Sequence, residues 1–320
     1  MNDNFWDPAG VNLESVKNPD YLANKEEFAK KYFKLILYGS LVFAILSSVY
    51  VYFRSGNLEL TTFIFFSIAL PILFVSYFFL GQLKKKLKLY SVAKKNDWLY
   101  IPEKNQDLFN KYVEKFPEVF DLGSNYVREY FENVFWGNYS KDNYGQDFVL
   151  GDFKYATRNR NDSRVYHDKF FIVRLKTDIS AEFYLETKTI SSKISNMFGN
   201  RDVLTESVDL NNAFDFFYKE NNDRVKVDVL SLLSPVVLEQ IVRFNNEKKR
   251  SFHTLKNTRI YFKKDCIIFV CPGSILDIKG SLSLSSLEIK VSDELEVKKD
   301  MDFFFDLATK ISNSLSSSKY

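Results

Sequence analysis

Two long runs without a single charged residue constrain this chain more than any other feature. Leu35 to Phe53 reads LILYGSLVFAILSSVYVYF, and Thr61 to Leu80 reads TTFIFFSIALPILFVSYFFL. Each is close to the roughly 20 residues a helix needs to cross about 30 Å of hydrocarbon. Leu, Ile, Val and Phe fill 11 positions of the first run and 13 of the second. At about 0.3 to 0.6 kcal/mol gained per such residue near the bilayer centre, each run favours insertion by several kcal/mol. The alternative, a pair of buried core helices, fits poorly, because soluble helices of this length carry charges on a wet face. Pro71 lies inside the second run, where a membrane helix tolerates a kink.

The seven residues from Arg54 to Leu60 join the runs and imply a tight hairpin with both flanks on one side. Lysine placement then sets the orientation. Lys25, Lys30, Lys31 and Lys34 precede the first run, and Lys84, Lys85, Lys86, Lys88, Lys94 and Lys95 follow the second. The joining segment carries only Arg54, opposed by Glu59. The expectation is a multi-pass protein of the cell membrane with both termini cytoplasmic. The KKKLK run, Lys84 to Lys88, reads as a topological anchor in preference to a specific lipid site. Two spans cannot enclose a pore alone, and neither holds the ionisable residues that mark an ion path.

The expected organisation is a cytoplasmic tail and lead-in helix over 1–34, a transmembrane hairpin over 35–80, and a cytoplasmic α+β domain over 81–320. The tail holds Phe5 and Trp6, and the lead-in helix starts near Pro19. The domain should combine an antiparallel sheet with amphipathic helices. The one candidate for an internal boundary is Asn196 to Thr205.

The second membrane helix is expected to continue to about Lys95. Leu108, Phe109, Tyr112, Val113 and Phe116 recur at helical spacing, and so do Val127, Tyr130, Phe131 and Val134. Phe148, Leu150 and Tyr155 flank Gly151 and Asp152, which predicts a hairpin across Asp147 to Ala156. Phe170 to Leu175 and Glu182 to Leu185 read as strands. Val208, Leu210 and Phe214 lead to a charged turn at Glu220 to Arg224. Ser234-Pro235 makes a helix start, with serine capping and proline at the first helical position. Val237, Leu238, Ile241 and Val242 follow as its apolar face. Thr258 to Phe262 and Cys266 to Val270 read as paired strands around Lys263-Lys264-Asp265. A last amphipathic helix is expected over Lys298 to Leu315, with Met301, Phe304, Ala308, Ile311 and Leu315 on one face.

Chemistry is less legible. The formal net charge is +3, with 44 basic against 41 acidic residues and no basic stripe, which argues against a nucleic-acid partner. Phe at 32 and Tyr at 19 accompany abundant Asn and Lys, a composition bias that does not by itself indicate a ligand surface. Two cysteines and no visible secretory signal fit a reducing compartment. His167 and His253 lack a second ligand at zinc spacing. His167 and Asp168 are adjacent on a strand, so they point to opposite faces. Cys266 and Cys271, five apart on a strand, also face opposite ways and read as buried structural thiols. Gly273 and Gly280 bracket turns, and no phosphate-binding glycine motif or nucleophile elbow frames Ser281 to Ser286. Asp147, Asp152, Glu182 and Glu186 are scattered over the strand region. No catalytic, cofactor or metal residue is assigned, and no cofactor is expected.

The order of segments resembles a bacterial membrane-protein family catalogued as domain-of-unknown-function family 3137. Two early spans precede VAKKNDWLYIP at Val92 to Pro102. YGQDFVLGDFKYA at Tyr144 to Ala156 and KFFIVRLK at Lys169 to Lys176 come next. VDLNNAFDFFYKE at Val208 to Glu220 then leads to LLSPVVLEQIVRF at Leu232 to Phe244 and a strand pair ending near Val270. The resemblance covers most of the chain after Leu35. It departs at Asp168-Lys169, where the family strand often opens with glycine. It implies architecture and no catalytic residue. Three functions fit: a membrane-tethered module binding a protein, itself or the bilayer surface; an enzyme of unfamiliar design acting on a membrane-associated substrate; or a subunit of a transport or envelope assembly.

Overall fold

The computed structural model describes residues 19–122, 126–141, 144–157, 164–179, 182–187, 207–218, 227, 230, 232–251, 258–273, 301–302, 304–311 and 313. The chain is mixed α and β, with two compact units. The first holds residues 19–92 among those described, and the second holds 93–273 and 301–313.

The first unit consists of two long helices, α1 (Pro19–Ser55) and α2 (Leu58–Lys95), except that the last three residues of α2, from Ala93, belong to the second unit. The joining segment is shorter than the sequence implies, because most of Arg54 to Leu60 is itself helical. Gly56 ends α1 in a left-handed conformation at φ 64°, where the missing Cβ removes the steric cost. Its amide donates to the Tyr52 carbonyl at 2.8 Å. Asn57 opens α2 by accepting the Leu60 amide on its side chain at 3.1 Å. The described side chains include only parts of the two uncharged runs, and among the described residues no helix is long and apolar enough to cross a membrane.

The second unit is built on one eight-stranded sheet. Its strands are β1 (Leu99–Ile101), β2 (Tyr126–Lys141), β3 (Tyr144–Thr157), β4 (Val165–Arg174), β5 (Phe183–Thr187), β6 (Phe214–Tyr218), β7 (Arg259–Lys263) and β8 (Cys266–Pro272). The order is β1-β2-β3-β4-β8-β7-β5-β6, and every pairing is antiparallel. Four further helices accompany it: α3 (Gln106–Lys115), the single turn α4 (Pro117–Phe120), α5 (Val208–Ala213) and α6 (Pro235–Ser251). A C-terminal helix has its described residues within 301–313.

Several sequence expectations hold. α2 ends at Lys95, α3 covers the pattern from Leu108 to Val113 with Phe116 as its C-cap, and α6 begins at Pro235. β7 and β8 form the hairpin around Lys264 and Asp265. In the C-terminal helix Met301, Phe304, Ala308 and Ile311 are buried as the pattern requires; Leu315 lies outside the described residues.

Two expectations fail for instructive reasons. Val127 to Val134 is not helical but part of β2. The register slips once between Val127 and Tyr130 and again between Glu132 and Phe135. Each slip inserts an extra residue, and two bulges a few residues apart turn a strict alternation into a spacing that mimics a helix. Asn133 sits in the second slip at φ 53°, a conformation asparagine tolerates better than most residues. Gly151 and Asp152 do not turn the chain, because β3 runs unbroken through them. Gly151 is small for packing: a Cβ there would stand 2.7 Å from the Phe170 ring and 3.1 Å from Val134.

Both faces of the central strands are buried in aromatic side chains. On one face Phe109 and Tyr112 of α3 and Phe120 of α4 lie over Phe131, Phe153 and Phe170. Phe131 and Phe170 have centroids 4.4 Å apart, and Phe120 lies 5.1 Å from Phe131. On the other face Phe304 and Phe305 of the C-terminal helix cover Phe171, Phe269, Phe148 and Tyr139. Tyr139 and Phe305 stack at 4.2 Å and 7°. The high phenylalanine content is therefore core material in large part.

Gly151→Ala should destabilise the protein by about 1 to 3 kcal/mol through overpacking against Phe170. Gly145→Ala is the contrast, since its Cβ would meet only the movable tip of Asn138 at 2.8 Å. Thermal denaturation of the two variants should show a lowered midpoint for the first and little change for the second.

Candidate functional site

Antiparallel register decides which polar side chains meet. Tyr184, Tyr261 and Lys263 share one face of β5 and β7 with Glu186 and Arg259, while Phe183, Leu185, Ile260 and Phe262 share the other. Cross-strand neighbours on the first face form a ring ladder. Tyr184 stacks between Phe217 at 4.6 Å and Tyr261 at 5.1 Å. One step along each strand, Asp215, Glu186 and Arg259 form a charge ladder in the same order.

Arg259 is the centre of this polar patch. Its Nη2 lies 3.9 Å from Asp168 Oδ2, and both side chains are largely buried, at 18% and 13% exposure. Its Nε is buried without a hydrogen-bond partner among the described residues. Tyr155 donates its hydroxyl to Asp168 Oδ2 at 3.1 Å and stacks on Tyr166 at 5.3 Å. Burial pushes the Asp168 carboxyl up, and Arg259 and the Tyr155 hydrogen bond only partly oppose it. Glu186 is also pushed up by burial, opposed by Arg259 and reinforced by Asp215. Burial lowers the Arg259 pKa, but Tyr261, Asp168, Glu186 and Tyr155 outweigh it and hold the guanidinium above its ordinary value. The patch thus places two partly desolvated carboxyl groups around one fixed cation. It is suited to electrostatic recognition, and a carboxyl group of raised pKa is also able to move a proton.

A second polar network is structural. Tyr100 donates to Asn133 Oδ1 at 3.1 Å, and Asn133 Nδ2 donates to Asp152 at 2.7 Å and to Glu132 at 3.2 Å. Glu132 in turn pairs with Lys154. These contacts satisfy the polar groups that the β2 bulge carries into the interior. A third group ties strands to helices: Lys263 bridges Glu118 of α4 and Glu182, the latter at 3.0 Å, and Lys115 of α3 meets Asp265 at 3.4 Å.

The residues singled out from sequence scatter accordingly. His167 is exposed on β4, on the face opposite Asp168, and its carbonyl accepts the Gly273 amide at 2.8 Å. Cys266 and Cys271 are both buried and unbridged. Burial and the neighbouring Asp265 push the Cys266 thiol well up, which removes it as a nucleophile at neutral pH. Asp147 pairs with Arg174 at 3.1 Å, Asp152 joins the Asn133 network, and Glu182 joins Lys263. Of the four scattered carboxylates only Glu186 enters the Arg259 patch. His253, Gly280 and Ser281 to Ser286 lie outside the described residues. Among the described residues no three potential ligands gather for a metal ion. Arg259 drew no attention in the sequence, since only its cross-strand position shows its partners.

No family model matches the chain, and no curated protein matches it. Among solved structures, that of the mycobacterial trehalose monomycolate transport factor A aligns with a TM-score of 0.32 and 9% identity. The alignment covers 72% of this chain and 94% of that one. A likeness at this level carries no conclusion about fold or function.

Replacing Arg259 by Met keeps the stem but leaves Asp168 and Glu186 without their cation. The loss should be about 1 to 3 kcal/mol near neutrality. Raised carboxyl pKa values mean that the folded state takes up these protons first. The stability linked to them is therefore full below the ordinary carboxyl range and lost as pH rises through the raised values. Without Arg259 that loss deepens. The difference between Arg259→Met and the parent chain, followed by denaturation from pH 4 to pH 7, should widen with pH.

Proposed function

We propose that the chain is a membrane-anchored protein held by an α1–α2 hairpin, with the sheet-bearing unit on the cytoplasmic side acting as a binding module. The observation that carries this reading is the surface of the two helices. Leu41, Val42, Phe43, Ile45, Leu46, Val49, Tyr50 and Phe53 of α1 all show between 44% and 82% of their area. Leu58, Leu60, Phe63, Phe66 and Leu70 of α2 show between 43% and 69%. Leaving such part-exposed side chains in water forgoes roughly 1 kcal/mol each. Patches of this extent belong against lipid or another protein. Ala44 and Ser48, one turn apart, are the buried positions within this stretch, and small residues of this kind let membrane helices approach closely.

The lysines flanking both runs support a cytoplasmic location for both helix ends, by the bias of basic residues toward that side. The largely buried Arg259 patch supports recognition of a charged protein surface or of the bilayer surface. One observation favours a second reading. The raised Asp168 carboxyl beside Tyr155 has the protonation behaviour of an acid–base group, as an enzyme acting on a membrane-associated substrate would need. Turnover abolished by Asp168→Asn, with folding intact, would favour the enzyme over the module.

The anchoring is tested by topology. The full chain should stay in the membrane pellet after alkaline carbonate extraction. A cysteine placed as Ser55→Cys should react with an impermeant maleimide in intact cells, while Lys94→Cys should react only after permeabilisation. The native thiols stay silent because both are buried. Release by carbonate, or labelling of Lys94→Cys from outside, would overturn the reading.

A further inference from the structure

We infer that α1 and α2 continue beyond the bilayer as a helical spacer that rises clear of the lipid headgroups. The inference rests on the membrane reading above and adds a height to it. The second uncharged run ends at Leu80, yet α2 continues to Lys95. Those 15 further helical residues add about 22 Å at 1.5 Å per residue. α1 likewise begins at Pro19, so 16 helical residues precede Leu35 and add about 24 Å. The two extensions are similar in length.

The burial pattern of α2 marks a change of solvent along its length. Within the uncharged run Phe63, Phe66 and Leu70 point outward, with Phe63 at 69% and Leu70 at 57% exposure, while Phe65 is half-buried. Further along, Leu89 is 0% exposed, Val92 3% and Ala93 1%. These three are spaced i, i+3 and i+4 and share one helix face. Lys94 and Lys95 beside them are exposed. Apolar side chains outward fit lipid, and an apolar stripe turned inward with charges outward fits water. The switch falls between Pro71 and Leu89, which brackets the place where the uncharged run ends.

Headgroups add about 5 to 7 Å to each side of the hydrocarbon. Lys84 to Lys86 then fall about 6 to 9 Å past Leu80, at headgroup level. Lys94 falls about 21 Å past it, some 14 Å outside the headgroups and beyond the Debye length of about 8 Å at physiological salt. A helix tilt of about 20° shortens these heights by only about 6%. The lysines after the second run therefore divide. The first cluster falls at headgroup level, and Lys94 and Lys95 fall in water beyond it.

Spin labels on the full chain in nanodiscs containing a nickel-chelating headgroup lipid test this. Labels are placed through Leu46→Cys in the first run, Lys31→Cys beside it and Lys94→Cys near the end of α2; all three positions are exposed. Surface nickel should relax the Lys31→Cys label at least several-fold more than the Lys94→Cys label. Leu46→Cys should respond to oxygen and not to a soluble nickel complex. Equal surface relaxation at Lys31→Cys and Lys94→Cys would mean that α2 bends onto the bilayer, and would overturn the spacer while leaving the anchor intact. Access of soluble nickel to Leu46→Cys would overturn the anchor itself.

Discussion

The pairing of β4 with β8 is the interaction on which the sheet-bearing unit depends. Seven register pairs, from Asp168 with Pro272 to Arg174 with Cys266, join residues about a hundred positions apart in sequence. They unite β1 to β4 with β8, β7, β5 and β6 in one sheet. The closure entropy of so long a loop is repaid because both faces at this seam are dry. Phe170 lies under α3 and α4 on one side, and Phe171 lies under the C-terminal helix on the other. Each aromatic contact adds about 0.5 to 1.5 kcal/mol beyond its buried area. The two helical layers and the seam stabilise each other, and the loss of one exposes the rest.

The candidate site is a by-product of that seam. Asp168 belongs to the first group of strands and Arg259 to the second. Only β4–β8 and β7–β8 pairing together bring them to 3.9 Å. Desolvation then does the chemistry, raising Asp168 and Glu186 while their shared cation holds them in place. The remaining ionic contacts have a different task. Lys263 and Lys115 fasten the strands to α4 and α3, and the Asn133 network lines a bulge.

Much of the fold was legible where one local rule acts alone. The α6 start at Ser234-Pro235, the α3 apolar stripe, the β7–β8 hairpin and the buried face of the C-terminal helix all follow from spacing and capping. Legibility failed where tertiary packing borrowed a local signal. The double bulge of β2 copied helical periodicity. Gly151 looked like a turn residue, yet its smallness serves the Phe170 ring across the strand pair. β6 escaped notice because Phe214 to Tyr218 directly follows the short helix α5, without an intervening turn signal.

The sequence by itself determined the two long helices at the start of the chain and the alternation that separates His167 from Asp168. These rest on composition and on periods of one chain segment, which need no partner to be read. Tertiary structure alone decided strand order, the two-faced aromatic core, and the choice of Glu186 over Asp147, Asp152 and Glu182 as a neighbour of Arg259. Those outcomes depend on which strand lies beside which, and pairing between distant strands is set by the burial energy of the whole sheet, not by any short stretch within it.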